Sequence, residues 1–324
     1  MTHVEHSVGA PVDPPAVSAP PPEHQSGRAT LRDVVAAYVG LTKPRVIELL
    51  LLTTVPVMFF AARGVPPLGL VVATVVGGTL SAGSASALNC VYDRDIDEQM
   101  RRTRRRALPR HIVSPVAASV FGVVLGVLAT VVLLVWVNAL SAGLALLAEA
   151  FYLVVYTMLL KRRTTQNIVW GGLAGCFPAL IGWTAVTGSL SWVPVVLFLV
   201  VFFWTPPHTW ALALRYREDY AGVDVPMLPV VAPAAEVGRQ IVLYSVAMVV
   251  TSLALWPVAS TGWLYPLAAL VLGAAFLVQA VLMWRRSTGT EELSVIRPME
   301  LFHSSNLYLS LLFVAVALDP LVTR

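Results

Sequence analysis

Polar and apolar residues fall along this chain in long blocks, not in the short periods of a water-soluble fold. Nine apolar stretches lie at roughly 46–62, 68–89, 114–136, 139–160, 168–187, 192–213, 240–258, 264–284 and 302–319. Each is close to the ~20 residues an α-helix needs to cross a bilayer. Residues 164–214 contain no Asp, Glu, Lys or Arg, too long a run for one crossing, so a tight turn near Gly188 is expected to split it. Ahead of the first stretch, Thr30 and Asp33 followed by Val34, Val35, Tyr38 and Leu41 predict a short capped amphipathic helix lying at the interface over 30–44. Residues 1–29 hold six prolines between Pro11 and Pro22 and little to bury, which predicts a disordered tail. The pattern therefore predicts an all-α, polytopic membrane bundle of about nine helices around a central chamber, occupying 45–324.

Composition sharpens this. Of 324 residues 57% are hydrophobic and only 12% charged, against about 25% charged in an ordinary soluble domain. A soluble enzyme, a secreted disulfide scaffold and a disordered chain are all excluded. Cys90 and Cys176 both sit in apolar stretches and offer neither a disulfide framework nor a CxxC pair. If the nine spans alternate with the N-terminus inside, the tail and the loops near 90–113, 161–167, 214–239 and 285–301 face the cytosol. Those segments carry twenty of the 22 basic residues, Arg63 and Arg324 being the exceptions. The bias fits the positive-inside rule, so the net charge of +4 reflects topology, and no nucleic-acid partner is expected. The tail is acidic at Glu5, Asp13 and Glu23 and has no basic residue before Arg28, unlike a mitochondrial transit peptide. A bacterial plasma membrane is the expected location. Two lysines, Lys43 and Lys161, against twenty arginines suit a GC-rich genome.

Candidate chemistry gathers in two places on the same side. After the second span, Asn89, Asp93 and Asp97 recur every four residues, one stripe of a helix, with Asp95 opposite and Glu98 beside it. Like charges so spaced repel, so something positive is expected to hold them: either nearby arginines as salt bridges or Mg²⁺, a hard cation that commonly takes one or two carboxylates plus phosphate oxygens. Arginines 101, 102, 104, 105 and 106 would then face the phosphate. After the sixth span, Tyr216, Asp219 and Tyr220 share a helical face, and Asp224 follows near a turn set by Gly222 and Pro226. Within that span Pro206-Pro207 is expected to break or kink the helix. Two acidic clusters facing each other across one opening could hold two metals around a diphosphate. Above an apolar chamber, such a site suits ionisation of an allylic prenyl diphosphate.

These residues also carry a resemblance. The run from Asn89 to Asp97 with Met100–Thr103 resembles the first aspartate motif of intramembrane prenyltransferases, most closely the protoheme IX farnesyltransferase (heme O synthase) family. Similar segments lie at 42–46, 156–172, 175–183, 204–220, 226–231 and 301–319, covering about 42 to 320. The resemblance implies transfer of farnesyl from farnesyl diphosphate to a vinyl group of heme B, with water supplying the hydroxyl of heme O, for terminal oxidases. It implies that Asn89, Asp93 and Asp97 form the first Mg²⁺–diphosphate motif, with Asp219, Tyr216 and Tyr220 in the second and the metal on Asp93, Asp97 and Asp219. Arg102, Arg106, Lys161 and Arg162 are implied to bind diphosphate. The family's usual Arg-Pro appears here as Arg106-Ala107.

His208, beside Pro207, is a candidate heme contact or simply a hydrogen-bonded core histidine, and His303 is a weaker candidate of the same kind. Glu48 and Glu149 lie within spans, where ionisable groups invite a functional explanation, but match no motif; Asp224 has no clear role. Prenylation of an aromatic quinone precursor, transport of an anionic metabolite and a non-catalytic role beside an oxidase remain alternatives. A heme A synthase or oxidase assembly factors are possible downstream partners.

Overall fold

A computed structural model describes residues 30–323, so the expectation for residues 1–29 lies outside the described residues. Nine helical segments among these residues are long and apolar enough to cross a membrane, in the order the hydropathy blocks predict. Helix α1 (Leu31–Thr42) opens with the expected capping box: Thr30 accepts from the Asp33 backbone, and Asp33 accepts from that of Thr30. Lys43, left-handed at φ 54°, ends it, and α2 (Pro44–Ala62) starts at once with Pro44 in its first turn.

The second span, α3 (Leu68–Tyr92), runs into the short α4 (Arg94–Gln99). Then come α5 (Pro115–Trp136) and α6 (Ala139–Ala150), which continues as a π-helical segment over Phe151–Leu160. A loop leads to α7 (Asn167–Gly171), a 3₁₀ turn and α8 (Phe177–Thr187). Gly188 takes the left-handed conformation, φ 65°, at the turn expected there. The remaining elements are α9 (Trp192–Arg215), α10 (Arg217–Ala221), α11 (Leu228–Val231), α12 (Ala234–Ala259), α13 (Leu264–Ser287), α14 (Leu293–Ile296) and α15 (Pro298–Val322).

Helices α3 and α5 pack along one another, as do α9 and α12, α12 and α13, and α2 and α8, while α15 touches α2, α9 and α13. The main core, with Leu197, Trp210, Ile241, Phe276 and Phe313, lies among α9, α12, α13 and α15. Large exposed side chains such as Val116, Val120, Val127 and Leu134 line the outer face of α5, as a surface solvated by lipid requires.

One expectation, a break or a kink, loses its first alternative. Pro206 and Pro207 do not break the sixth span, which is a single helix from Trp192 to Arg215. The two prolines are buried, and the helix is tied across to α15 immediately before them, where the Trp204 indole donates to the Ser305 carbonyl at 2.8 Å. Tertiary packing here outweighs a local penalty of about 3 kcal/mol for proline in a helix interior.

Candidate active site

The acidic stripe survives a change of helix. Helix α3 stops at Tyr92 and α4 starts at Arg94, yet the Asp93 backbone donates to the Asn89 carbonyl and that of Asp97 to the Asp93 carbonyl, both at 2.9 Å. The spacing of four is kept, and Asn89, Asp93 and Asp97 are all buried on one side. Asp95 points away and is exposed.

Each acid has a cation. Lys161 Nζ lies 2.5 Å from Asp93 Oδ2, and Arg162 reaches Asp93 Oδ1 at 3.5 Å. Arg106 lies 2.6 Å from Asp97 Oδ2. Arg162 also grips Asp95 with two bonds of 2.7 Å. That grip holds the Asp95 carboxyl below its ordinary range and raises the Arg162 guanidinium. Burial of Arg106 opposes its charge, but Asp97 outweighs this and the guanidinium is raised.

The π-helical segment supplies the next wall. It places Tyr152 and Tyr156 on the site, ring centroids 5.4 Å apart, and hands the chain to Lys161, whose backbone donates to the Tyr156 carbonyl five residues back. The Tyr156 ring fits because Gly171 faces it: a Cβ there would sit 2.1 Å from the ring. Asn167, fully buried, donates to the Lys161 carbonyl at 3.0 Å and steadies the loop.

The second cluster is joined to the first by Arg102. Its backbone donates to Asp219 Oδ2 at 3.2 Å, and its guanidinium lies 5.9 Å from the ring centres of both Tyr216 and Tyr220. The helical face expected for these three residues is therefore real, although it spans the junction of α9 with α10. Asp224, not Gly222, takes the left-handed position of the turn, φ 52°, and is exposed.

A cavity of about 820 Å³ is lined by Lys43, Asn89, Asp97, Arg102, Arg106 and Lys161 among others, while Asp93, Arg162, Tyr216 and Asp219 stand behind these and are not among its lining residues. A second, mostly apolar chamber of about 170 Å³ adjoins it and shares Lys43, Val46 and Tyr152 with it. Gly78, Ala82, Ala145 and Ile181 are among its walls. A charged cavity thus lies against an apolar one, with Lys43, Val46 and Tyr152 common to both walls.

The structure also places the acids, His208 and His303. The described residues include no cluster of three acidic, His or Cys side chains able to hold an ion unaided; Asp93, Asp97 and Asp219 instead meet Lys161, Arg106 and the Arg102 backbone. Like-charged carboxylates at a membrane face recruit the nearest cations. His208 is not among the cavity's lining residues; it stacks between Trp204 and Phe302, centroids 4.1 and 4.6 Å away, and bonds Ser305 through Nδ1 at 2.8 Å. His303 lies on a separate groove between α13 and α15.

Lys43 is a site residue that sequence reasoning passed over: its Nζ donates to Asn89 Oδ1 at 2.7 Å. A signal existed. The chain's two lysines, Lys43 and Lys161, both converge on the acidic stripe.

The profile of the UbiA prenyltransferase family matches residues 50–306. The chain belongs to the UbiA prenyltransferase family. A curated relative from a Nocardioides species, named protoheme IX farnesyltransferase, is 82% identical over 295 residues, 91% of this chain and 94% of its own. Among solved structures, a digeranylgeranylglyceryl phosphate synthase superposes with a TM-score of 0.72 at 14% identity, over 89% of this chain and 99% of its own. A UbiA homolog from Archaeoglobus fulgidus, bound to DMAPP and Mg²⁺, does so with a TM-score of 0.64 at 15% identity, over 86% and 99%. At such identities the two structures speak to the fold, which is the UbiA fold.

Proposed function

We propose that this chain transfers the farnesyl group of farnesyl diphosphate to a vinyl group of heme B, giving heme O and diphosphate. The observation that carries a prenyl diphosphate substrate is the charged cavity set against an apolar chamber with shared walls, a head-group site beside a tail site. The 82% identical relative named protoheme IX farnesyltransferase supports heme as the acceptor.

Mg²⁺ fits the donor set. Asn89, Asp93, Asp97 and Asp219 offer only hard oxygen ligands, and in the first three these oxygens already attract the ammonium or guanidinium groups of Lys43, Lys161, Arg162 and Arg106. Bound there with the diphosphate, Mg²⁺ supplies positive charge against the charge that develops on the leaving group. The bundled basic side chains do the rest of the electrostatic work. Lys161 and Arg106 turn from carboxylates, Lys43 from the Asn89 carboxamide and Arg102 from the Tyr216 and Tyr220 rings, to phosphate oxygens, charge-assisted bonds stronger than neutral ones. Tyr152 lines both cavities and Tyr156 the charged one, so their rings are near enough to stabilise the cationic allylic carbon.

As the C1–O bond breaks, its electron pair leaves with diphosphate. C1 bonds the terminal vinyl carbon, and water adds at the inner carbon, losing a proton. The apolar chamber keeps other water from the allyl cation. His208 belongs to the α9–α15 packing in this reading, and heme ligation is not assigned to it. The basic loops, the acidic motifs and the N-terminus face the cytosol of a bacterial plasma membrane, as the charge bias favours.

The test is direct. Membranes containing the protein, supplied with heme B and farnesyl diphosphate, should form heme O by mass spectrometry with Mg²⁺ and not with a chelator. Prenylation of an aromatic quinone precursor in place of heme would overturn the acceptor, and full activity of Asp93→Ala would overturn the metal site.

A further inference from the structure

A carboxamide has a donating end and an accepting end, and Asn89 must present the accepting end if it is to meet a cation. Three contacts set its orientation: Lys43 Nζ donates to Oδ1 at 2.7 Å, while Nδ2 donates to Asp93 Oδ2 at 2.7 Å and to Thr157 Oγ1 at 3.1 Å. The first two partners leave no choice, because an ammonium only donates and a carboxylate only accepts. A hydroxyl can do either. Thr157, however, spends its one proton on the Tyr152 carbonyl, 2.8 Å away, so toward Asn89 it can only accept.

That geometry comes from the π-helical segment. Tyr152 lies five residues before Thr157, the spacing of a π-helix and one more than an α-helix allows. Thr157 is fully buried. Lys43 and Asp93 are themselves groups that substrate engages, so their hold on the amide is the part that binding redirects. The Thr157 contact is anchored to backbone and stays.

We propose that Thr157 is a positioning residue that locks the Asn89 carboxamide with its oxygen toward Lys43 and the cavity, so that an acceptor, not an NH₂ group, meets the divalent cation. The inference rests on the proposed role of Asn89 and deepens it. Losing the hydroxyl lets the amide rotate and turns a donor toward the cation.

The probe is farnesyl thiodiphosphate, an unreactive analogue, bound to the purified full-length protein across a Mg²⁺ series and followed by calorimetry. Thr157→Val, which keeps the shape and removes the acceptor, should raise the Mg²⁺ concentration for half-saturation by about 10-fold, the lower end of what loss of a ligand-orienting partner costs. Thr157→Ser should restore it to near wild type, and analogue binding without Mg²⁺ should be the same in all three. If Thr157→Val does not yield folded protein, Thr157→Ala against Thr157→Ser makes the same contrast. An unchanged Mg²⁺ requirement in the variant lacking the hydroxyl, or equal shifts with Ser, would sink the inference. Asn89→Ala separates the two levels. If it weakens Mg²⁺-dependent binding while Thr157→Val does not, only the positioning role fails; if it too has no effect, Asn89 is not a ligand.

Discussion

The charged cavity and the apolar chamber beneath it treat their acids differently. At the rim, Asp93, Asp95 and Asp97 each lie against Lys or Arg. In the chamber wall, Glu149 has serine hydroxyls: Ser84 faces Oε1 and Ser81 reaches Oε2 at 3.4 Å. The rim is built for exchange, since an ammonium held by a carboxylate can move to a phosphate with little net loss of charge pairing. The chamber is built for shape, with small residues on α3 and α6 leaving room for a tail. Head-group affinity should therefore depend on charge, and tail selectivity on volume.

The largest effect is expected at the rim. Asp93→Asn keeps size and removes charge, and heme O formation should fall by roughly 10²–10³-fold, the scale of losing one preorganised electrostatic group. Steady-state rates in membranes measure it; a loss below tenfold would mean the stripe is structural.

Next comes the chamber. A Cβ on Gly78 meets open space, so Gly78→Leu should fold normally and fill part of the tail site. The preference for farnesyl over geranyl diphosphate should drop by about tenfold, as volume changes in apolar pockets do. Competition between the two substrates, scored by product mass, reads this ratio.

Ser84→Ala tests the chamber's acid. It leaves Glu149 Oε1 without its hydroxyl partner, and stability should fall by about 1–2 kcal/mol, seen as a lower thermal midpoint in detergent. An unchanged midpoint would show that the carboxyl finds lipid-side water instead.

The smallest effect belongs to Asp95. Because Arg162 holds its carboxyl below the ordinary value, the stabilisation is present above the unfolded pKa and lost as pH falls through the folded one. Asp95→Asn should cost a few tenths of a kcal/mol at pH 7, the usual worth of an exposed pair. The difference between variant and wild type should begin to shrink below about pH 4 and vanish only once the pH is below the lowered folded-state value, which denaturant titrations at pH 7 and through the acid range would show.

Much of this is legible in the sequence. Hydropathy alone delivers nine spans because lipid leaves the backbone few options, and Gly188 and the Thr30–Asp33 cap are local signals read locally. The stripe Asn89, Asp93, Asp97 was visible because its period is helical. What escaped depends on distant segments. Whether Pro206-Pro207 breaks a helix is decided by α12 and α15, not by the prolines. The donor to the Asn89 carboxamide oxygen is Lys43, 46 residues away, placed by a left-handed backbone that a lysine rarely adopts. The π-helical register of 151–160 has no short-range mark in FYLVVYTMLL.

That register makes the segment unusually sensitive to length. A deletion of one residue upstream of Thr157 would let the chain relax into an ordinary α-helix that still crosses the bilayer, with hydropathy scarcely altered. Yet each residue of an α-helix subtends about 100°, so Thr157 and Lys161 would swing away from Asn89 and Asp93 together. Such a shortened protein should insert and accumulate normally while failing to capture its lipid substrate, a defect that no count of membrane crossings would detect.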